Sequence, residues 1–301
     1  FGTDPQFWLN LQSQFDLAQA DKETGETIRH LPPRAAVPPQ SEQPRLVGKL
    51  MTADQYLQNI LFREAVDVSS TSPVRSVQSK IAPVIQSWAG PHLRGISPSG
   101  SFAKGTANKS GTDIDLFISL AETATAPLGD IYNSLFETLK TAGATPKKQN
   151  VSINIRLNGH DVDLVPARQQ NMLSEDHSLF RRRANTWTKT NVATHIAYVM
   201  YGGCIPEIRV LKLWRNQKGL DFPSFYLELA VIAALRGSGG TLSERVSKAL
   251  TYIQDNLAAT RLVDPSNTNN VISDDLTAAE KTAIVAAARK ALGGTWGDFV
   301  Q

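Results

Sequence analysis

Two hydrophobic periods divide the chain. Val74, Val77, Ile81, Val84, Ile85 and Trp88 recur every three or four positions, the spacing of a helix buried along one stripe. Ser72-Pro73 opens that stretch as an N-cap followed by proline in the first turn; Pro83 falls inside it and Gly90-Pro91 ends it. A strand is expected around residues 93–97. Ile114, Leu116 and Ile118 alternate with Asp113, Asp115 and Phe117, so 113–120 reads as a strand with both aspartates on one face. A helix is expected over 128–141. Asn158-Gly159, between the alternating runs 151–157 and 160–165, marks a two-residue hairpin. Its register follows: Leu157 opposite His160, Arg156 opposite Asp161, Ile155 opposite Val162, Asn154 opposite Asp163. One face is then apolar (Val151, Ile153, Ile155, Leu157, Val162, Leu164) and the other polar.

From residue 190 onward the period is helical, with helices expected over 205–216, 224–235, 242–257 and 278–292. Thr241 with Glu244, and Thr277 with Glu280, have capping-box spacing. The fold class is therefore α+β, with an α/β half over 51–190 and a helical half over 191–301. Residues 1–50 break the pattern, because five prolines between Pro32 and Pro44 sit in a stretch with no period. They read as an extension or tethered segment, and the aromatics Phe1, Phe7, Trp8 and Phe15 suggest that part of it docks on the body. Met51-Thr52-Ala53-Asp54 looks like a start, with Thr52 or Asp54 as cap.

Composition narrows the classes. Hydrophobic residues are 41% and charged residues 20%, a globular balance. No apolar run approaches the ~20 residues of a membrane span, and the opening residues lack a basic-then-apolar signal pattern. The one cysteine, Cys204, excludes an internal disulfide or a cysteine-rich zinc site, so the expected setting is the cytoplasm. A net charge of +3 is too small to make the whole surface a nucleic-acid face.

The chemistry gathers around Gly100-Ser101, eleven residues, then Asp113-Ile114-Asp115. Carboxylates at i and i+2 on a strand project the same way and can share hard divalent cations, which favour oxygen ligands. A Gly-Ser turn offers backbone N–H groups and a hydroxyl to a phosphate, and Lys104 and Lys109 in the intervening loop would help hold a triphosphate. Asp161 faces Arg156 and is explained by that pair; Asp163 faces Asn154, which cannot neutralise it, and is the better third ligand. Three aspartates from neighbouring strands suit two ions of Mg²⁺ (or Mn²⁺). Arg209, Lys212 and Asn216 share a helix face. Arg181-Arg182-Arg183, with Lys147-Lys148 and Arg168, read as surface charge or as contacts to an acceptor nucleotide or a longer nucleic acid. Trp187 is assigned to the core, and His160, His177 and His195 to structural roles.

These motifs resemble the polymerase-β-type nucleotidyltransferases and, more closely, the bacterial CD-NTases, relatives of cyclic GMP–AMP synthase and oligoadenylate synthase. Segments 97–120 (SPSGSFAKGTANKSGTDIDLFISL), 149–169, 177–191, 208–215 (IRVLKLWR) and 222–232 (FPSFYLELAVI) carry the likeness. It implies a nucleotidyltransferase lobe with a mixed sheet, a helical lobe and an active site in the cleft between. It makes Asp113, Asp115 and Asp163 the metal-binding carboxylates and Gly100 and Ser101 the donor-triphosphate loop. Lys212 matches a lysine on the triphosphate, and Ser224 a serine near it that could equally be a helix cap. Phe225, or its neighbour Tyr226, falls where relatives place an aromatic against the donor base. The implied reaction condenses NTPs into a cyclic or short linear oligonucleotide in anti-phage signalling, with a regulatory protein partner at an exposed C-terminal tail, residues 293–301. The alternatives are an RNA 3′-end nucleotidyltransferase and a silent fold that binds RNA or a partner.

Overall fold

The computed structural model, which describes residues 51–111 and 113–301, begins with helix α1 (Ala53–Arg63). Thr52 caps it, and Gln55 returns the bond to Thr52 N–H. Expectations for residues 1–50, the docking aromatics included, lie outside the described residues. Helix α2 (Pro73–Ala89) follows, then strand β1 (Leu93–Pro98), the single turn α3 (Gly100–Ala103) and strand β2 (Ile114–Leu120). Next come helix α4 (Leu128–Thr141) and strands β3 (Lys147–Lys148), β4 (Ile153–Leu157) and β5 (His160–Gln169). Strands β6 (His177–Arg181) and β7 (Thr186–Thr190) complete one seven-stranded sheet.

The sheet runs β1-β2-β5-β4-β3, with β6 on the far half of β5 and β7 on β6. The β4–β5 hairpin has the register expected from Asn158-Gly159, whose φ angles of 52° and 82° are those of the mirror-image turn. Strands β2 and β5 are parallel, a pairing that alternation alone does not reveal. The inward faces of β2, β4 and β5 pack Leu116, Ile118, Ile155 and Leu164 against α2 and α4 in one core.

The helical lobe contains α5 (Val192–Tyr201), α6 (Ile205–Gln217), α7 (Ser224–Leu235), α8 (Leu242–Asn256) and α9 (Ala278–Leu292). The capping boxes at Thr241 and Thr277 both form. Helix α7 is apolar nearly all round and buried nearly all round. A small hairpin, β8 (Val263–Asp264) and β9 (Asn267–Val271), interrupts the helices; its polar, turn-rich sequence carries no strand period. The core of this lobe also takes Leu57 and Ile60 from α1. A division at residue 190 therefore does not separate the two cores, since α1 precedes the sheet in sequence and packs with the helices.

Two further expectations are corrected. Trp187, on the strand β7 that pairs with β6, is 56% exposed and not part of the core. The C-terminal residues do not stand free: Phe299 and Val300 are buried, the turn α10 (Trp296–Phe299) packs the Phe299 ring near Trp214, and Tyr56 Oη donates to Val300 O at 2.8 Å. Among the described residues, no helix is long and apolar enough to cross a membrane.

Candidate active site

The parallel pairing of β2 with β5 puts Asp115 and Asp163 in register, side by side on neighbouring strands, and Asp113 lies two residues ahead of Asp115. Gly100 takes φ +57°, and a Cβ there would fall 1.7 Å from Asp115 Oδ2. Ser99 N–H donates to Asp115 O at 2.9 Å, so the Gly-Ser turn is fastened to the strand bearing the carboxylate. Only glycine serves at residue 100, for both its backbone angle and its missing side chain.

The acids share an electrostatic problem. Burial and then the charge of Asp163 push Asp115 up to about 6, only partly offset by Lys104 and Lys212. Burial, then the charges of Asp163 and Asp161, raises Asp113. Burial also raises Asp163, against hydrogen bonds from Asn154 and Ser152. Asn154 Nδ2 donates to Asp163 Oδ1 at 2.8 Å and Gln149 Nε2 at 3.2 Å. These neutral donors orient the carboxylate without cancelling its charge. Asp161 pairs with Arg156 at 3.2 Å, as expected. Among the described residues, no group of three or more carboxylate, imidazole or thiol side chains is arranged to hold a metal ion. The donor set nonetheless suits a hard divalent cation: it is all oxygen, and its mutual repulsion is what such a charge relieves.

Asp113 and Asp115 line a cleft of about 300 Å³, with Gly100, Ser101 and Lys104 on the same side. Lys212, Arg215 and Asn216 of α6 and Ser224, Phe225 and Glu228 of α7 line it from the helical lobe. Asp163 stands beside this lining, next to Asp115. Ser224 is the first residue of α7, after Pro223 at the cap position, and its hydroxyl accepts from Arg215 Nη1 at 2.8 Å. The Phe225 ring lies 4.7 Å from the His195 ring and 4.9 Å from Lys104 Nζ. His195 is itself held by Asp264 at 2.7 Å and Ser266 at 2.9 Å.

Other residues lie elsewhere than expected. Tyr226 is fully buried among the helices with its hydroxyl unpartnered, because it points a helix step away from Phe225 into the core; it is not the aromatic of the cleft. Lys109 is exposed and outside the lining. Arg209 does not share a solvated face with Lys212: its guanidinium bonds the carbonyls of Leu61, Glu64 and Ala107, tying α1 and the 104–111 loop to α6. Arg168 bonds the carbonyls of Ala124 and Ala126, and Arg182 that of Gln149, so both serve backbone acceptors.

Sequence reading missed Thr106, Arg215 and Glu228. Glu228 had a signal, as the one charge inside the apolar run of α7. Arg215 follows Lys212 at i+3 in a segment already singled out. Thr106 had none.

No protein-family model matches the chain. A cyclic AMP-AMP-AMP synthase of Escherichia coli (strain MS 115-1) is 24% identical over 260 residues, which is 72% of this chain and 80% of that protein. CdnC of E. coli MS115-1, solved in complex with HORMA-deltaN, superposes with a TM-score of 0.64 at 19% identity, over 80% of this chain and 89% of that one. The Bradyrhizobium diazoefficiens CD-NTase CdnG, solved with GTP, gives 0.67 at 14% identity, over 80% and 90%. The chain has the fold of the CD-NTases. The CD-NTase fold accounts for the two-lobed layout and agrees with the resemblance read from the Gly-Ser and Asp-x-Asp segments.

Proposed function

We propose that the chain is a nucleotidyltransferase that condenses NTPs into a cyclic or short linear oligonucleotide and releases pyrophosphate, as a second-messenger step in anti-phage signalling in the cytoplasm. The observation that carries this reading is the register of Asp115 with Asp163, beside Asp113, at the edge of a cleft whose opposite wall is cationic. The cationic wall suits a triphosphate: Lys212 and Arg215 offer charge and Ser101 and Ser224 offer hydroxyls. Phe225 supplies an apolar surface for the base. Asp113, Asp115 and Asp163 would hold two Mg²⁺ (or Mn²⁺) ions. When bound, such ions lower the pKa of the attacking hydroxyl and stabilise the leaving pyrophosphate. The protein's own task is positioning: two lobes present phosphate, base and carboxylates across one gap.

One relative, CdnC, is solved in complex with HORMA-deltaN. We extend a regulatory protein partner to this chain, though not through a free tail, since Phe299 and Val300 are buried.

The test is incubation with all four NTPs and Mg²⁺ or Mn²⁺, followed by mass spectrometry. Phosphatase-resistant oligonucleotide products that vanish in Asp115→Asn support the reading. Extension of a labelled RNA 3′ end, without such products, replaces it with the RNA-tailing alternative. No product of either kind, with or without candidate activators, overturns it.

A further inference from the structure

Lys104 and Lys212 reach the cleft from opposite lobes and meet on one carboxylate. Glu228, fully buried on α7, accepts from Lys104 Nζ at 2.6 Å on one oxygen. Its other oxygen accepts from Thr106 Oγ1 at 2.7 Å and Lys212 Nζ at 3.1 Å. Lys212 Nζ also donates to Thr106 Oγ1 at 3.0 Å. The cluster is closed within the protein, yet Lys104, Lys212, Thr106 and Glu228 all line the cleft.

First, α7 is apolar around Glu228, so an acid there carries a desolvation cost that its two cations and the Thr106 hydroxyl offset. Burial opposes ionisation of Glu228, but Lys104 and Lys212 outweigh it and hold its carboxyl below the usual range. Second, one carboxylate against two ammonium groups leaves a net positive charge, the sign a phosphate chain requires. Third, an ammonium has three N–H donors. The bonds above use one of them on Lys104 and two on Lys212, so each lysine retains a donor for the cleft.

We propose that Glu228 is a positioning residue for the nucleotide's phosphate chain, fixing Lys104 of the sheet lobe and Lys212 of the helical lobe side by side as one preformed phosphate-binding pair. This rests on the reading of the cleft as the nucleotide site. Glu228 itself need not touch the nucleotide; it acts by holding two flexible side chains at one place and by drawing the lobes to a common point. The Lys104 ammonium, so held, also sits over the Phe225 ring.

The experiment compares steady-state kinetics of the full chain with Glu228→Gln, Glu228→Asp and Thr106→Val. Charge-assisted hydrogen bonds of this kind are worth ~1.5–3 kcal/mol, so Glu228→Gln is expected to raise KM for the NTP about 10-fold or more, with kcat changed less than about 3-fold. Glu228→Asp keeps the charge but is one methylene too short to hold both lysines, and its KM should fall between the two. If Glu228→Gln does not fold, Thr106→Val gives the same reading: it leaves both ion pairs and removes the hydroxyl between them, and a severalfold rise in KM is expected. Folded variants with wild-type KM, or with KM unchanged and only the melting temperature lowered, overturn the role of Glu228 and leave the proposed function standing. A wild-type protein that neither makes a nucleotide product nor binds ATP in equilibrium titration overturns both.

Discussion

The Asp115 carboxylate fills the space where a side chain on residue 100 would begin. The 1.7 Å between that oxygen and an ideal Cβ is far inside any contact distance, and the positive φ of Gly100 adds backbone strain for any other residue. The glycine of the Gly-Ser turn and the second aspartate of Asp-x-Asp, read as separate features of the sequence, are thus one steric unit.

Gly100→Ala therefore has to move either the turn or the carboxylate. We expect at least a ~100-fold loss of nucleotide product, the usual penalty of an ångström-scale misplacement in an active site, and a stability loss of ~2 kcal/mol. Product assays alongside urea titration check both. An active Gly100→Ala would refute the close packing of turn and strand.

Asp115 should make stability fall as pH rises. Its pKa is raised in the folded state, so between 3.8 and about 6 the folded protein binds more protons than the unfolded chain. Stability from this group is present at low pH and is lost as pH climbs through about 6, amounting to ~3 kcal/mol. Asp115→Asn should recover much of that at pH 7.5 in the presence of a chelator, gain far less near pH 4, and abolish product formation. Denaturation midpoints at the two pH values decide; an equal shift at both counts against the raised carboxyl.

Divalent cation should raise the melting temperature of the wild-type protein at pH 7.5 more than at pH 5, where Asp115 holds a proton. The shift should disappear in Asp115→Asn and in Asp163→Asn. Chelation should stop product formation without unfolding the chain. A cation effect that survives both substitutions would move the ion site elsewhere.

Phe225 and Tyr226 are neighbours with opposite fates. Phe225→Ala should raise KM for the nucleotide about 10-fold, since stacking on one aromatic ring is worth ~1–3 kcal/mol. Tyr226→Phe removes a buried hydroxyl without a partner, so it should leave turnover unchanged and stability equal or higher by ~1 kcal/mol. Kinetics and thermal melts on the two variants separate them.

Removal of residues 295–301 takes Phe299 and Val300 out of the helical core. At ~1.5–3 kcal/mol for each buried side chain, the expected loss is about 3–6 kcal/mol, visible in a urea midpoint. Wild-type stability in the truncated chain would instead restore the view of a free tail.

Much of the local structure was legible from residue order. The hairpin register followed from Asn158-Gly159, because a two-residue turn leaves one pairing and the side-chain period of two then fixes every partner. Helices α4, α7 and α9 agree end to end with the periodic runs, and the caps at Thr241 and Thr277 form as their spacing implies. The likeness of the Gly-Ser and Asp-x-Asp segments also pointed to the fold before any tertiary contact was known.

What the residue order left open depended on segments far apart in the chain. Parallel pairing of β2 with β5 sets Asp115 beside Asp163 across forty-eight positions, and no local signal encodes that alignment. Glu228 shows in sequence only as an odd charge in an apolar helix; its meaning comes from Lys104 and Thr106, delivered by a loop of the other lobe. Whether Phe225 or Tyr226 faces the cleft, and whether Arg209 meets solvent or backbone carbonyls, was decided by helix rotation against neighbouring layers. Local periods and turns depend on a residue's immediate neighbours, which sequence displays; long-range registry and buried charge pairing depend on which distant surfaces meet, which only the folded chain determines.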